Sequence, residues 1–218
     1  LGREDVRVEA LAPVSFGKID KYLDDPANAI EGSVVVLQMG NYEAIRGTWR
    51  APVDEDHSAG TAEPAGIDGM PPVKRLWLRW NAVSNFALQC LKLSVFLARE
   101  ATGTVYFDKV DFAIRLSRSF SKLAARKPAK VIVLAALTAN SVELNLCRRR
   151  LNVEMKKVAA VYGFTWIDAY GALVDAARAQ GKSMVHDLIH LNIEGHKVVA
   201  QALAPVLGEA LAEAGAGA

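Results

Sequence analysis

Three short runs of apolar and β-branched residues divide the chain. Ser33 to Met39 (S-V-V-V-L-Q-M) and Lys130 to Leu137 (K-V-I-V-L-A-A-L) are nearly continuous, the pattern of strands buried on both faces. Gly163 to Ala169 (G-F-T-W-I-D-A) is a third run, and Val6 to Leu11 (V-R-V-E-A-L), which alternates apolar and polar, reads as a further short strand. Lys18 to Leu23 begins a helix, and a longer one spans about Val142 to Tyr162. Near the end, Val198, Val199, Ala202, Leu203, Val206 and Leu207 keep the i, i+3, i+4 spacing of a core-facing helix. Strands alternating with helices predict parallel pairing and a layered α/β fold.

The pattern breaks in the middle. Arg46 to Pro72 is rich in Gly, Pro, Ala and acidic residues and reads as an irregular loop. Lys74 to Arg99 and Val105 to Leu123 then read as helices, so an insertion covers about 46–123. The first of these helices is apolar nearly all round, with Trp77, Trp80, Phe86 and Phe96. It is either a lid or acyl-binding cap over a site, or a helix buried in the core or at a subunit contact, which is the commoner case.

Composition narrows the choices. The 218 residues suit one domain, here 1–212 with a low-complexity tail at 213–218. Hydrophobic residues at 51% against 23% charged argue for a packed core rather than disorder. A net charge of +2 gives no electrostatic reason to expect a nucleic-acid partner. Leu76 to Ala98 is interrupted by Arg79, Asn81, Asn85, Gln89 and Lys92, which is too polar for a membrane span. The four histidines and two cysteines show no metal-ligand spacing, and for Cys90 and Cys147 two buried free thiols are a more ordinary reading than a disulfide, which the sequence leaves open. No signal peptide opens the chain, and because Leu1 is not an initiator methionine, localisation stays open.

The candidate chemistry lies at D-L-I-H-L-N-I-E-G-H, residues 187–196. Asp187 and His190 stand three apart, a spacing that lets a carboxylate orient an imidazole so that it can take a proton from a serine. Asn192 can cap the helix that follows, with Glu194 near its positive end. The plainer alternatives are a carboxylate at a helix start for Asp187 and a partly buried histidine for His190.

This block resembles the last signature block of the SGNH (GDSL-type) hydrolases, a D-x-x-H followed by a glycine and a helix. The resemblance implies a three-layer, flavodoxin-like parallel sheet in which Asp187 and His190 complete a serine triad. It extends to two weaker blocks. Val14-Ser15-Phe16-Gly17 follows the first visible strand as the family's oxyanion loop does, so Gly17 would supply a backbone N–H. The strand ending L-Q-M-G-N-Y-E resembles the G-x-N block, with Asn41 one place early as the side-chain donor and Tyr42 at the strict donor position.

The family's first block, the G-D-S that carries the nucleophile, is absent, as is G-x-S-x-G, and Ser15 is a poor substitute. In a sheet of order 2-1-3-4-5, Val6 to Leu11 would be the second strand, with too few residues before it for a parallel crossover. The expectation is therefore a chain whose first strand and serine lie upstream. The resemblance implies an esterase or lipase-like hydrolase acting on a small-molecule, carbohydrate or lipid ester, without metal or organic cofactor. An acyltransferase on the same fold and a non-catalytic binding module are the alternatives. A nucleotide-binding domain is disfavoured, because no Gly-rich phosphate loop follows any visible strand.

Overall fold

The computed structural model describes residues 16–40, 87, 90, 91, 93–95, 97, 98, 109–187 and 189–216. Among these residues the fold is α/β, a parallel sheet with helices on both faces. Its strands are β1 (Val34–Gln38), β2 (Lys130–Leu134) and β3 (Thr165–Ile167), paired side by side in chain order. Val34 lies opposite Lys130, and Ile132 opposite Thr165. That is the arrangement expected of the third, fourth and fifth strands of a 2-1-3-4-5 sheet. The expected strand Val6 to Leu11 lies outside the described residues, as do the loop 46–72, Asn41 and Tyr42.

Alternation along the strands sends successive side chains to opposite faces. Val35, Leu37, Val131 and Val133 pack with three helices: α1 (Phe16–Asp24), α2 (Lys109–Ala125) and α3 (Val142–Val161). Val34, Ile132, Leu134 and Ile167 face α4 (Ala169–Gln180) and α5 (Ile193–Ala216). The continuous apolar run of β2 is buried on both sides, with Ile132 and Val133 at 0% exposure. β1 departs from that expectation. Val36 keeps 39% of its surface exposed, because the core formed with α4 and α5 reaches β1 at Val34 and extends no further along it.

Helix boundaries follow local chemistry. Ser141 caps α3 by accepting from the amide of Leu144 at 3.4 Å, and Gly163 (φ +69) turns the chain into β3. The sequence pattern gives no helix between β3 and Asp187, yet α4 is there. Asp168 caps it by accepting from the Gly171 amide at 2.9 Å, and Gly181 closes it in the left-handed conformation. The apolar stripe from Val198 to Leu207 does dock α5 against the sheet. By length and composition alone α5 is apolar enough to cross a membrane (mean hydropathy 1.2), but here that stripe packs on the core.

One expectation needs correction. Cys147 is buried, whereas Cys90 is exposed, and both are free thiols. Where residues of the expected 74–99 helix are described they are helical, but Leu91, Val95 and Leu97 are exposed by 45% or more, so these positions are not core-facing. Its aromatic residues Trp77, Trp80, Phe86 and Phe96 lie outside the described residues.

The end of β2 is where the fold prepares a site. Among the described residues pairing stops at Leu134, opposite Gln38 of β1 and Ile167 of β3, and the last ladder-like bond is the Ala135 amide to the Ile167 carbonyl at 3.0 Å. The next residues are buried, so their main-chain groups need other partners. Three side chains one and two turns apart on α3 supply them. Asn152 accepts from the Ala136 amide at 2.7 Å and donates to the Ala136 carbonyl at 3.1 Å. Arg148 donates through Nη1 to the carbonyls of Leu137 and Thr138 at 2.8 and 2.7 Å. Asn145 accepts from the Ala139 amide at 2.9 Å and donates to its carbonyl at 2.7 Å. Among the described residues, a helix face thus supplies partners to the main chain of the strand extension.

Candidate active site

Asp187 and His190 sit on a loop between α4 and α5 that is closed on itself. The His186 amide donates to the His190 carbonyl at 2.8 Å, the Asn192 amide to the Met184 carbonyl at 3.1 Å, and Val185 bridges Leu191. Met184 and Leu191 anchor the loop in the core shared with α4 and α5. Asn192 then starts α5, its Oδ1 accepting from the Gly195 amide at 2.8 Å and its Nδ2 donating to the Ser183 carbonyl at 2.7 Å. Gly195 has a steric reason: a Cβ there would run into the Met184 carbonyl oxygen.

Within this loop the two side chains meet as their spacing suggests. His190 Nδ1 lies 2.7 Å from Asp187 Oδ2, while Asp187 Oδ1 accepts from the amides of Ile189 and His190, both at 2.8 Å. Partial burial pushes the Asp187 carboxyl up. The amide of His190, its imidazole and the amide of Ile189 outweigh that and hold it at about 2. The aspartate is therefore an anion across the physiological range. It fixes the imidazole through Nδ1, which leaves Nε2 as the free nitrogen. With 72% of the His190 side chain exposed, the partly buried histidine is ruled out and Nε2 can meet a ligand.

The depressed carboxyl implies a pH dependence. Its folded value lies below the ordinary 3.8, so its stabilising bonds are fully present above about pH 4 and are lost as the pH falls towards 2. The stability difference between the wild type and Asp187→Asn should shrink steadily as the pH falls from about 4 to 2 in urea titrations. A difference that does not change across that window would mean the carboxylate makes no such bonds.

The remaining expected site residues are not gathered around this pair by any bond among the described residues. Gly17 is the second residue of α1, where the first amides of a helix have no partner within it. Its N–H is thus of the right kind for an oxyanion donor, but α1 packs on the sheet face opposite α5. Gly40, which precedes Asn41, has φ +90, and a Cβ there would lie 3.0 Å from Ala136 Cβ and 3.2 Å from Met155 Sδ. That close approach brings the end of β1 against the segment held by α3. Among the described residues no serine hydroxyl is hydrogen-bonded to His190.

Three residues at this site escaped the sequence reading. Asn140 Nδ2 donates to the Asp187 carbonyl at 2.7 Å. The Ser183 hydroxyl, with one proton to give, lies 3.1 Å from both Asn140 Oδ1 and the Val185 carbonyl. Arg148 is fully buried, with Nε and Nη2 unpaired. Burial lowers its guanidinium to about 10, against the opposing effects of Tyr170 and Cys147, so it remains a cation at neutral pH.

No protein-family model and no curated protein matches the chain. Among solved structures it is similar to a member of the lipolytic protein G-D-S-L family from Veillonella parvula. Identity there is 25%, over 45% of this chain and 54% of that one, with a TM-score of 0.40. It is also similar to an alpha/beta hydrolase enzyme from the metagenome of Lake Arreo, Spain, at 16% identity over 84% and 60% of the two chains, TM-score 0.44. A third is phospholipase A1 from Streptomyces albidoflavus, at 17% identity over 88% and 75%, TM-score 0.47. The chain thus spans 54% and 60% of the length of the first two.

Proposed function

We propose that this chain carries the base half of a serine-dependent ester hydrolase of the SGNH type. The carrying observation is the 2.7 Å contact between Asp187 Oδ2 and His190 Nδ1 on a loop beside the end of the parallel sheet, with the rest of the imidazole exposed. A carboxylate fixed on one ring nitrogen selects the tautomer whose other nitrogen accepts a proton. His190 Nε2 would take the proton of a serine hydroxyl as its oxygen attacks the ester carbonyl. The imidazolium would return that proton to the departing alkoxide, and water activated in the same way would release the acid. Gly17 N–H and Asn41 Nδ2 are the proposed donors to the tetrahedral oxyanion.

The serine is the one member of the triad that no described residue supplies. Two measurements on the protein test the reading together: turnover of p-nitrophenyl esters of increasing acyl length, and labelling with a fluorophosphonate followed by peptide mapping. One labelled serine with matching loss of turnover is the expected result. The acyl length preferred would tell short acyl groups from lipid-like ones, and products formed with a sugar acceptor would separate hydrolysis from acyl transfer. No turnover and no labelled serine would leave a binding module with an oriented but idle histidine.

A further inference from the structure

The loop that carries Asp187 and His190 is tied by side-chain hydrogen bonds to the rest of the fold in a restricted way. Most of its bonds are internal or run to the first turn of α5. Among the described residues Asn140 is the exception, since it belongs to the end of the β2 extension and yet bonds the loop at two points. Its Nδ2 donates to the main-chain carbonyl of Asp187, the residue that orients the imidazole, and its Oδ1 faces the Ser183 hydroxyl. The amide orientation is fixed by chemistry. Turning the group over would set Oδ1 against the Asp187 carbonyl, with two acceptors and no proton between them.

Asn140 is itself held on both sides. Behind it, Asn152, Arg148 and Asn145 bind the main chain of Ala136, Leu137, Thr138 and Ala139 in turn. Ahead of it, Ser141 caps α3. The Asn140 main chain is therefore referenced to the sheet and to α3, whereas its side chain is exposed and reaches the loop. We propose that Asn140 is the positioning residue of the Asp187–His190 pair, setting the place of that pair against the carboxyl end of the sheet. The assignment rests on the reading of Asp187–His190 as the working pair of an ester hydrolase. Asn140 touches neither substrate nor imidazole and acts through the Asp187 main chain.

The test uses Asn140→Ala and the near-isosteric Asn140→Asp, which keeps an acceptor for Ser183 but has no proton for the Asp187 carbonyl. Amide hydrogen exchange at Ile189 and His190, whose N–H groups both bond Asp187 Oδ1, reports the pair's geometry without reference to any activity. Both variants should speed that exchange by about tenfold, the equivalent of one hydrogen bond, while the amides of Ile132 and Val133 in β2 stay unchanged. In ester turnover kcat should fall by roughly 10- to 100-fold with KM nearly constant, the mark of lost orientation rather than lost binding. Unchanged exchange at Ile189 and His190 overturns the proposal. So does unchanged kcat in a protein whose turnover His190→Ala destroys, and that result leaves the hydrolase reading intact. If no ester is turned over at all, the hydrolase reading falls and the exchange measurement alone decides whether Asn140 places the pair.

Discussion

Replacing His190 by alanine should lower ester turnover by about 10²–10⁴-fold, the usual worth of a positioned general base. Asp187 holds Nδ1 at 2.7 Å, so the ring presents Nε2 in one tautomer and one direction. Alanine removes the proton acceptor, while the carboxylate keeps its two amide bonds from Ile189 and from residue 190 itself. The His190 side chain is mostly exposed and packs into neither core cluster, so the melting temperature should not move with the activity. A variant that still turns over esters at the wild-type rate would remove His190 from the chemistry and end the reading built on it.

The second large effect concerns stability. Asn152 lies on the buried face of α3 and satisfies both main-chain groups of Ala136, which is 0% exposed. In Asn152→Ala an amide and a carbonyl stay buried without partners. Each such group costs about 1–3 kcal/mol, so the loss should be roughly 2–6 kcal/mol. For a chain of this length that lowers the melting point by roughly 5–15 °C. Asn152→Leu, which restores volume but not polarity, should be nearly as damaging, and this separates the hydrogen bonds from the packing. Unfolding free energies from urea titration within about 0.5 kcal/mol of wild type for the two variants would show that the segment finds other partners.

What the sequence made legible was whatever is written in neighbouring residues. The β2 run and the α3 pattern have the lengths and periods that strands and helices require, and the structure places them within a few residues of those limits. Asp187 and His190 are three apart on one loop, so their meeting needed no long-range information. Gly40, too, could be picked out beside its strand. By contrast α4 went unseen, although Asp168 and Gly181 mark its ends, because its twelve residues are mostly alanine and other small or mixed side chains without a clear apolar stripe.

Asn145, Arg148 and Asn152 were illegible for a different reason. They interrupt the apolar face of α3, and a pattern reader counts them as noise. Only the tertiary structure shows that they face main-chain groups stranded beyond the end of a strand pairing. Asn140 was hidden similarly, since a polar residue just before a helix cap looks like any other turn. The exposure of Val36 depends on how far α4 and α5 extend across the sheet, and no property of the strand itself encodes that.

The self-closed form of the Asp187–His190 loop has a consequence in time. Its ends, Ser183 and Asn192, are bonded to each other, so re-forming it after a local opening means closing only about ten residues, a process of ~10–100 ns. Turnover in enzymes typically proceeds at about 1–10³ per second. Closing at that pace would not limit such a turnover. In the proposed hydrolase a change that loosens the loop would lower the rate in proportion to the fraction closed, without adding a slow step or a lag.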